Sequence, residues 1–265
     1  MGGEGGARIT ARTRYDRRMG VGRLGLFAVA ACSFRTSNSA VDARDSAVVV
    51  PDAPPDAAPF AGIMHVQNKT AISSGTSMTV TLDQPVAARD LLVGSFRGAG
   101  MVTVGDATNG AWTLVDSGAN IWIYYVQNAM PSDAGLVISM TAQFNDDLRA
   151  SVDEFSGVAT TAALDQHSPG NAPNPGTTWQ ATAVQSNDGE LVFAGGGTAS
   201  SNIVFTPGAT NGVAMTIGGQ ITNSNNGALF SEYALAAQQG TQDASTSEPA
   251  NFGVYGFQAT FHAGR

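Results

Sequence analysis

From about residue 61 onward, apolar and polar positions alternate over short stretches. Met78, Val80 and Leu82 are interleaved with threonines, and Leu136, Ile138 and Met140 are interleaved with Val137, Ser139 and Thr141. Ile121 to Val126 is a short, nearly unbroken apolar run. A period of two with β-branched residues on it is the signature of strands, because successive side chains of a strand point to opposite faces. No stretch keeps a helical period for ten residues between caps, and Gly, Asn, Asp and Pro punctuate the apolar segments throughout. The pattern predicts an all-β chain, an antiparallel β-sandwich of jelly-roll-like type.

The pattern also repeats. Ser77 to Leu82 leads through polar residues to Asp90-Leu91-Leu92-Val93-Gly94, and Thr178 to Ala183 leads likewise to Glu190-Leu191-Val192-Phe193-Ala194, an offset of 100. Ala107-Thr108-Asn109-Gly110 recurs as Ala209-Thr210-Asn211-Gly212 at an offset of 102, and Tyr125-Val126-Gln127-Asn128 is echoed by Tyr233-Ala234-Leu235-Ala236 at 108. Three echoes in order at near-constant spacing predict two similar halves, about 61–160 and 161–265, sharing one core. The alternative is a pair of tandem immunoglobulin-like domains, for which the Asn171 to Pro175 stretch makes a short linker. Asn-Gly at both 109–110 and 211–212 predicts a hairpin at the same point of each half, with the positive φ angles of a tight turn.

The first 60 residues differ in kind. Six arginines, Arg8 to Arg23, stand against Glu4 and Asp16, followed by the apolar run Leu24 to Ala31 and then Cys32, the one cysteine of the chain. That is the layout of a signal peptide, residues 1–31, and the run is far short of the roughly 20 residues a membrane-spanning helix needs. Val29-Ala30-Ala31-Cys32 resembles a bacterial lipobox, which implies a lipid on Cys32 and, with Ser33 behind it, an outer-membrane lipoprotein. Ala28-Val29-Ala30 read as an ordinary A-x-A cleavage site gives secretion instead, and Met19 is an alternative start. Residues 32–60 are rich in Pro, Ala, Ser and Asp and read as a tether, extended at about 3.1 Å per residue where polyproline II holds. A lone cysteine excludes intrachain disulfides, so residues 61–265 must hold together by burial.

Without the leader, the chain carries 7 basic and 19 acidic groups, a net charge of -12, with Lys69 as its one lysine. Such a surface repels phosphate backbones, which excludes nucleic acid as a partner and favours cations.

Several segments together resemble a family of secreted bacterial β-sandwich domains of unassigned function. They are Asp90 to Val93, Val102 to Asp106 leading to Asn109-Gly110-Ala111-Trp112-Thr113-Leu114, Tyr124-Tyr125, and Val152 to Val158. The resemblance covers roughly residues 61–265 and implies a fold and a surface location. It carries no catalytic residue.

Candidate chemistry is sparse. Trp122 and Tyr124 share one face of their strand, and an exposed aromatic pair, with Trp112 or Trp179 beside it, would stack on the C–H faces of a polysaccharide. The competing reading has that strand in mid-sandwich with both faces packed. Asp146, Asp147, Asp153 and Glu154 are four carboxylates in nine positions, which invites an acid–base pair for glycoside cleavage. Strand alternation, however, sends Asp153 and Glu154 to opposite faces, and Asp146 and Asp147 read as solvated loop residues. Glu232 offers no better case. Asp106, Thr108 and Asn109, with Asp116 across the hairpin, offer oxygens for a structural calcium, but the spacing departs from an EF-hand and an Asx turn fits as well. His65, His167 and His262 are not spaced for zinc, no G-x-S-x-G elbow occurs, and Gly195 to Gly197 is no phosphate loop. The expectation is an anchored surface module that binds an extracellular carbohydrate or a protein partner. The alternatives are a polysaccharide lyase or glycosidase on a jelly-roll scaffold, or a purely structural envelope or adhesion protein.

Overall fold

Leu91, Leu92 and Val93 are buried on both sides of their strand, as are Leu191, Val192 and Phe193 in the equivalent strand. This accounts for their unbroken apolar sequence and implies more than one apolar layer. In the computed structural model, which describes residues 62–171, 178–224, 227–248 and 253–264, three such layers are stacked. The proposed leader, Cys32 and the tether lie outside the described residues.

The first half contains β1 (Met64–Pro85), β2 (Leu91–Arg97), β3 (Val102–Asp106), β4 (Gly110–Ala111), β5 (Thr113–Gly118), β6 (Ile121–Val126) and β7 (Gly135–Ser156). The second contains β8 (Leu164–Asn171), β9 (Thr178–Ala181), β10 (Val184–Ser186), β11 (Glu190–Thr198), β12 (Thr206–Pro207), β13 (Ala209–Thr210), β14 (Val213–Ala214), β15 (Thr216–Ser224), β16 (Gly227–Ala237), β17 (Gly240–Gln242), β18 (Ser245–Ser247) and β19 (Tyr255–Phe261). Every strand pairing among the described residues is antiparallel, so the all-β antiparallel expectation holds.

The two sheets correspond in strand order and in register. The run β1-β7-β2-β6-β5 of the first sheet is matched by β8-β19-β11-β16-β15 of the second. Val93 lies opposite Tyr125 in one, and Phe193 opposite Tyr233 in the other. Arg89 and Gly189 both have positive φ, 76° and 78°, and each donates its amide to an alanine carbonyl, of Ala129 and Ala237 respectively.

Along β2 and β11 the faces divide. Leu91, Val93, Leu191 and Phe193 enter the middle layer together with Ile121, Ile123, Phe155, Leu229, Phe257 and Phe261, so the two sheets pack on one another there. Leu92 and Phe96 enter a layer belonging to the first half, and Val192 and Ala194 one belonging to the second, where Trp179, Phe205 and Phe230 also lie. The halves thus share one core and each adds its own.

The first half closes on itself because β1 and β7 are each 22 residues long and bend together. Their pairing shifts register between Gly75 and Ser77, opposite Asp146. One arm, near Ser77 to Thr81, pairs with Val137 to Thr141, and the other, Asn68 to Gly75, pairs with Asp146 to Asp153. Asp146 and Asp147 are therefore half-buried strand residues at a bend, not loop residues, and Ser74 Oγ donates to Asp147 Oδ1 at 2.7 Å.

Both predicted hairpins exist, with different turns. Asn211 and Gly212 have φ of 45° and 75° and join β13 to β14 by two residues, the primed geometry that glycine permits. At the first site only Gly110 is positive, at 79°, and Asp106 pairs with Gly110 across three residues. There the Asp106 Oδ1 accepts the amides of Thr108 and Asn109 at 2.8 and 2.7 Å and makes an Asx turn.

Candidate functional site

The pair Trp122 and Tyr124 does not form an open platform. Tyr124 is 7% exposed and its hydroxyl donates to the Val102 carbonyl at 2.6 Å. Trp122 is half-buried against the same first-half core, and its Nε1 is shut from solvent with no acceptor. The cause is the bend: the far arms of β1 and β7, with β3, fold over this face of β6 and supply Met78, Val80, Leu136, Ile138 and Val104. Trp112 and Trp179, the proposed companions, are buried as well.

Asp153 and Glu154 are both fully buried and diverge, as alternation requires. Asp153 lies toward the second half, where its Oδ1 is 2.9 Å from His65 Nε2 and its Oδ2 accepts the Ser231 hydroxyl at 2.7 Å. Ser231 also meets Ser151 at 2.9 Å, and His65 stacks on Tyr233 with ring centroids 4.6 Å apart. A Cβ on Gly218 would fall 2.3 Å from Asp153 Oδ1, so only glycine lets β15 close over this carboxylate. Glu154, on the other side, accepts from Gln67 Nε2 at 2.5 Å and the Ala87 amide at 3.1 Å. Its neighbour Asp90 is raised to about 7, first by burial and then by hydrogen bonding to Glu154 and its charge. Asp153 and Glu154 are both shut from solvent, so neither has the exposure that glycoside cleavage demands.

The calcium reading of Asp106, Asn109 and Asp116 does not fit the donors either. Asp106 Oδ2 accepts Trp112 Nε1 at 2.7 Å and Asn109 Nδ2 at 3.1 Å, Oδ1 is used in the turn, and Asn109 Oδ1 accepts the Met130 amide at 2.8 Å. Asp116 is engaged elsewhere, with its Oδ2 3.1 Å from His167 Nδ1.

That last contact marks a different place. Between the β5–β6 turn of the first half and β8 and β19 of the second lies a solvent-open groove of about 500 Å³, lined by Asp116, Gly118, Pro169, Thr182, Tyr255 and Phe257. The turn protrudes because Ala119 and Asn120 both take positive φ, 48° and 65°, joining Gly118 to Ile121 by the shortest hairpin. Tyr255 opens β19 and is 46% exposed, whereas Phe257 two residues on is anchored in the middle layer. The groove therefore combines an exposed aromatic residue with a carboxylate that contacts an imidazole. The volume falls in the range of small-ligand sites, and the mixture of apolar surface with few polar groups is typical of them.

Sequence reading missed this groove because Asp116 and Tyr255 come from different halves. It also missed the cluster of Asp165, Glu190 and His262, although the acidic residue recurring at 90 and 190 at the head of an apolar strand was a usable signal. Compared with protein-family models, with curated proteins and with solved structures, the chain matches none.

Proposed function

We propose that this protein is a lipid-anchored binding module of the bacterial cell envelope, and that the inter-half groove holds an extracellular carbohydrate. The observation that carries the reading is an exposed tyrosine, Tyr255, and a carboxylate, Asp116, lining the same open groove of about 500 Å³, with His167 Nδ1 3.1 Å from that carboxylate. A pyranose has an apolar C–H face that packs on an aromatic ring, and hydroxyls that a carboxylate accepts in pairs. An open groove suits a segment of a longer polymer, and the tether upstream suits reach from a surface. Of the four carboxylates that invited a hydrolytic reading, Asp153 and Glu154 are fully buried and Asp146 and Asp147 are half-buried at the β7 bend, so binding without turnover is the better supported function.

The test is an array of glycans and cell-wall polymers probed with purified protein, with Tyr255→Ala and Asp116→Ala in parallel. Saturable binding that either substitution weakens at least about tenfold, a loss of about 1.4 kcal/mol, is the expected result. Undiminished binding in both variants moves the site elsewhere, and no binding to any glycan leaves a protein partner or an envelope-structural role.

A further inference from the structure

The head of β11 holds a buried carboxylate with an unused oxygen. Glu190 is 1% exposed. Its Oε1 accepts Asn187 Nδ2 at 2.9 Å and lies 2.5 Å from His262 Nδ1, while its Oε2 is buried and has no hydrogen-bond partner. On the other edge of the same imidazole, His262 Nε2 is 3.6 Å from Asp165 Oδ1. The backbone fixes this ring from both sides, since the His262 amide donates to Ala163 and its carbonyl accepts from Ala159.

We propose that Asp165, Glu190 and His262 form a site for one divalent transition-metal ion of the zinc class. One donor atom from each of the three lies within 4.8 Å of the others. Donors bonded at about 2.0–2.2 Å to a tetrahedral ion are about 3.4 Å apart, close to the 3.6 Å already separating His262 Nε2 from Asp165 Oδ1. An ion on that side leaves Nδ1–H directed at Glu190, and a carboxylate behind a ligating histidine fixes the tautomer and ring orientation. Glu190 then stays behind the ring through Oε1, and His262 and Asp165 bond the ion directly.

Ion class follows from the donors. Calcium takes six to eight oxygens, and this site offers an imidazole and two carboxylates, which suit zinc and its neighbours. The His262 and Asp165 side chains are 38% and 18% exposed, so the ion enters from solvent and water completes its shell. The matching place in the first half is built otherwise, since Asp90 there meets Glu154 and no histidine. The site shares no residue with the groove and does not depend on carbohydrate binding.

The experiment uses the full chain stripped with a chelator and titrated with zinc chloride by calorimetry, with calcium and magnesium as controls. Expected are one zinc per chain, a raised melting temperature, and no response to the other two ions. Asp165→Asn and His262→Ala abolish this binding, and Glu190→Gln weakens it about 10- to 100-fold. Cobalt(II) in place of zinc reports nitrogen and oxygen ligation, without the sulfur-to-metal absorption that Cys32 would give. Absence of one-to-one zinc binding, or binding that survives in both Asp165→Asn and His262→Ala, overturns the proposal. Asp165→Asn, at a partly exposed position, keeps the test open if Glu190→Gln disturbs the core.

Discussion

Individual residues divide sharply by where the bend and the shared layer place them. Tyr124 and Tyr255 are both aromatic and both follow strand alternation, but one is 7% and the other 46% exposed. Tyr124→Ala is expected to cost about 3–5 kcal/mol as a large-to-small core change, and Tyr255→Ala less than about 0.5 kcal/mol. Urea unfolding of the two variants reads the difference. Two buried acids set a pH dependence. Asp90 moves from 3.8 to about 7, and Glu232, desolvated in the second-half core and pulled back only by the backbone of Gly208, moves from 4.5 to about 9. Both keep a proton in the folded chain where the unfolded chain has lost it, so stability falls as pH rises through each window. Between pH 7 and 9 only the Glu232 window remains of these two. Stability should fall there by at most about 1.4 kcal/mol per pH unit, read as a falling melting temperature, and Glu232→Gln should flatten the fall. An unchanged slope in that variant would assign the pH dependence to other groups.

At the scale of elements, alternation and turn chemistry were readable and crossing geometry was not. The strands around Met78 to Leu82, Ile121 to Val126 and Leu136 to Met140 are where the period of two puts them, and the divergence of Asp153 from Glu154 follows from the same rule. What hid the fate of Trp122 was the length of β1 and β7. A register shift at Gly75 turns two ordinary strand signals into one strand that serves both faces of a sandwich, and nothing local in the sequence marks which face it will cover. The two Asn-Gly hairpins carry a testable contrast. At 211–212 the backbone angles do the work, so Gly212→Ala is expected to cost about 1–2 kcal/mol. At 106–110 a side chain does it, and Asp106→Ala strands two turn amides and the Trp112 indole, at about 1 kcal/mol or more for each. Thermal melts that rank Asp106→Ala below Gly212→Ala in stability would bear this out, and the reverse order would mean water replaces the carboxylate.

For the whole molecule, the echoes at Leu91 and Leu191 and at Tyr125 and Tyr233, spaced near 100 residues, fall on strands that hold corresponding places in the two sheets. The sites were not foreseeable in the same way. The groove brings Asp116 to Tyr255 and the acidic cluster brings Glu190 to His262, pairs that meet only once the two sheets are laid face to face. The histidines looked unsuited to metal because ligand spacing along a chain is informative for local sites alone. The middle layer has a further effect on what either half is by itself. Each presents to the other a sheet face of Leu, Val, Ile and Phe, pinned by the Ser231 and Asp153 contact, and such a face is too large and oily to stay uncovered in water. Genes for residues 62–160 and 161–264, expressed together, should yield fragments that find each other and elute as a one-to-one heterodimer, whereas either expressed alone should precipitate or pair with itself.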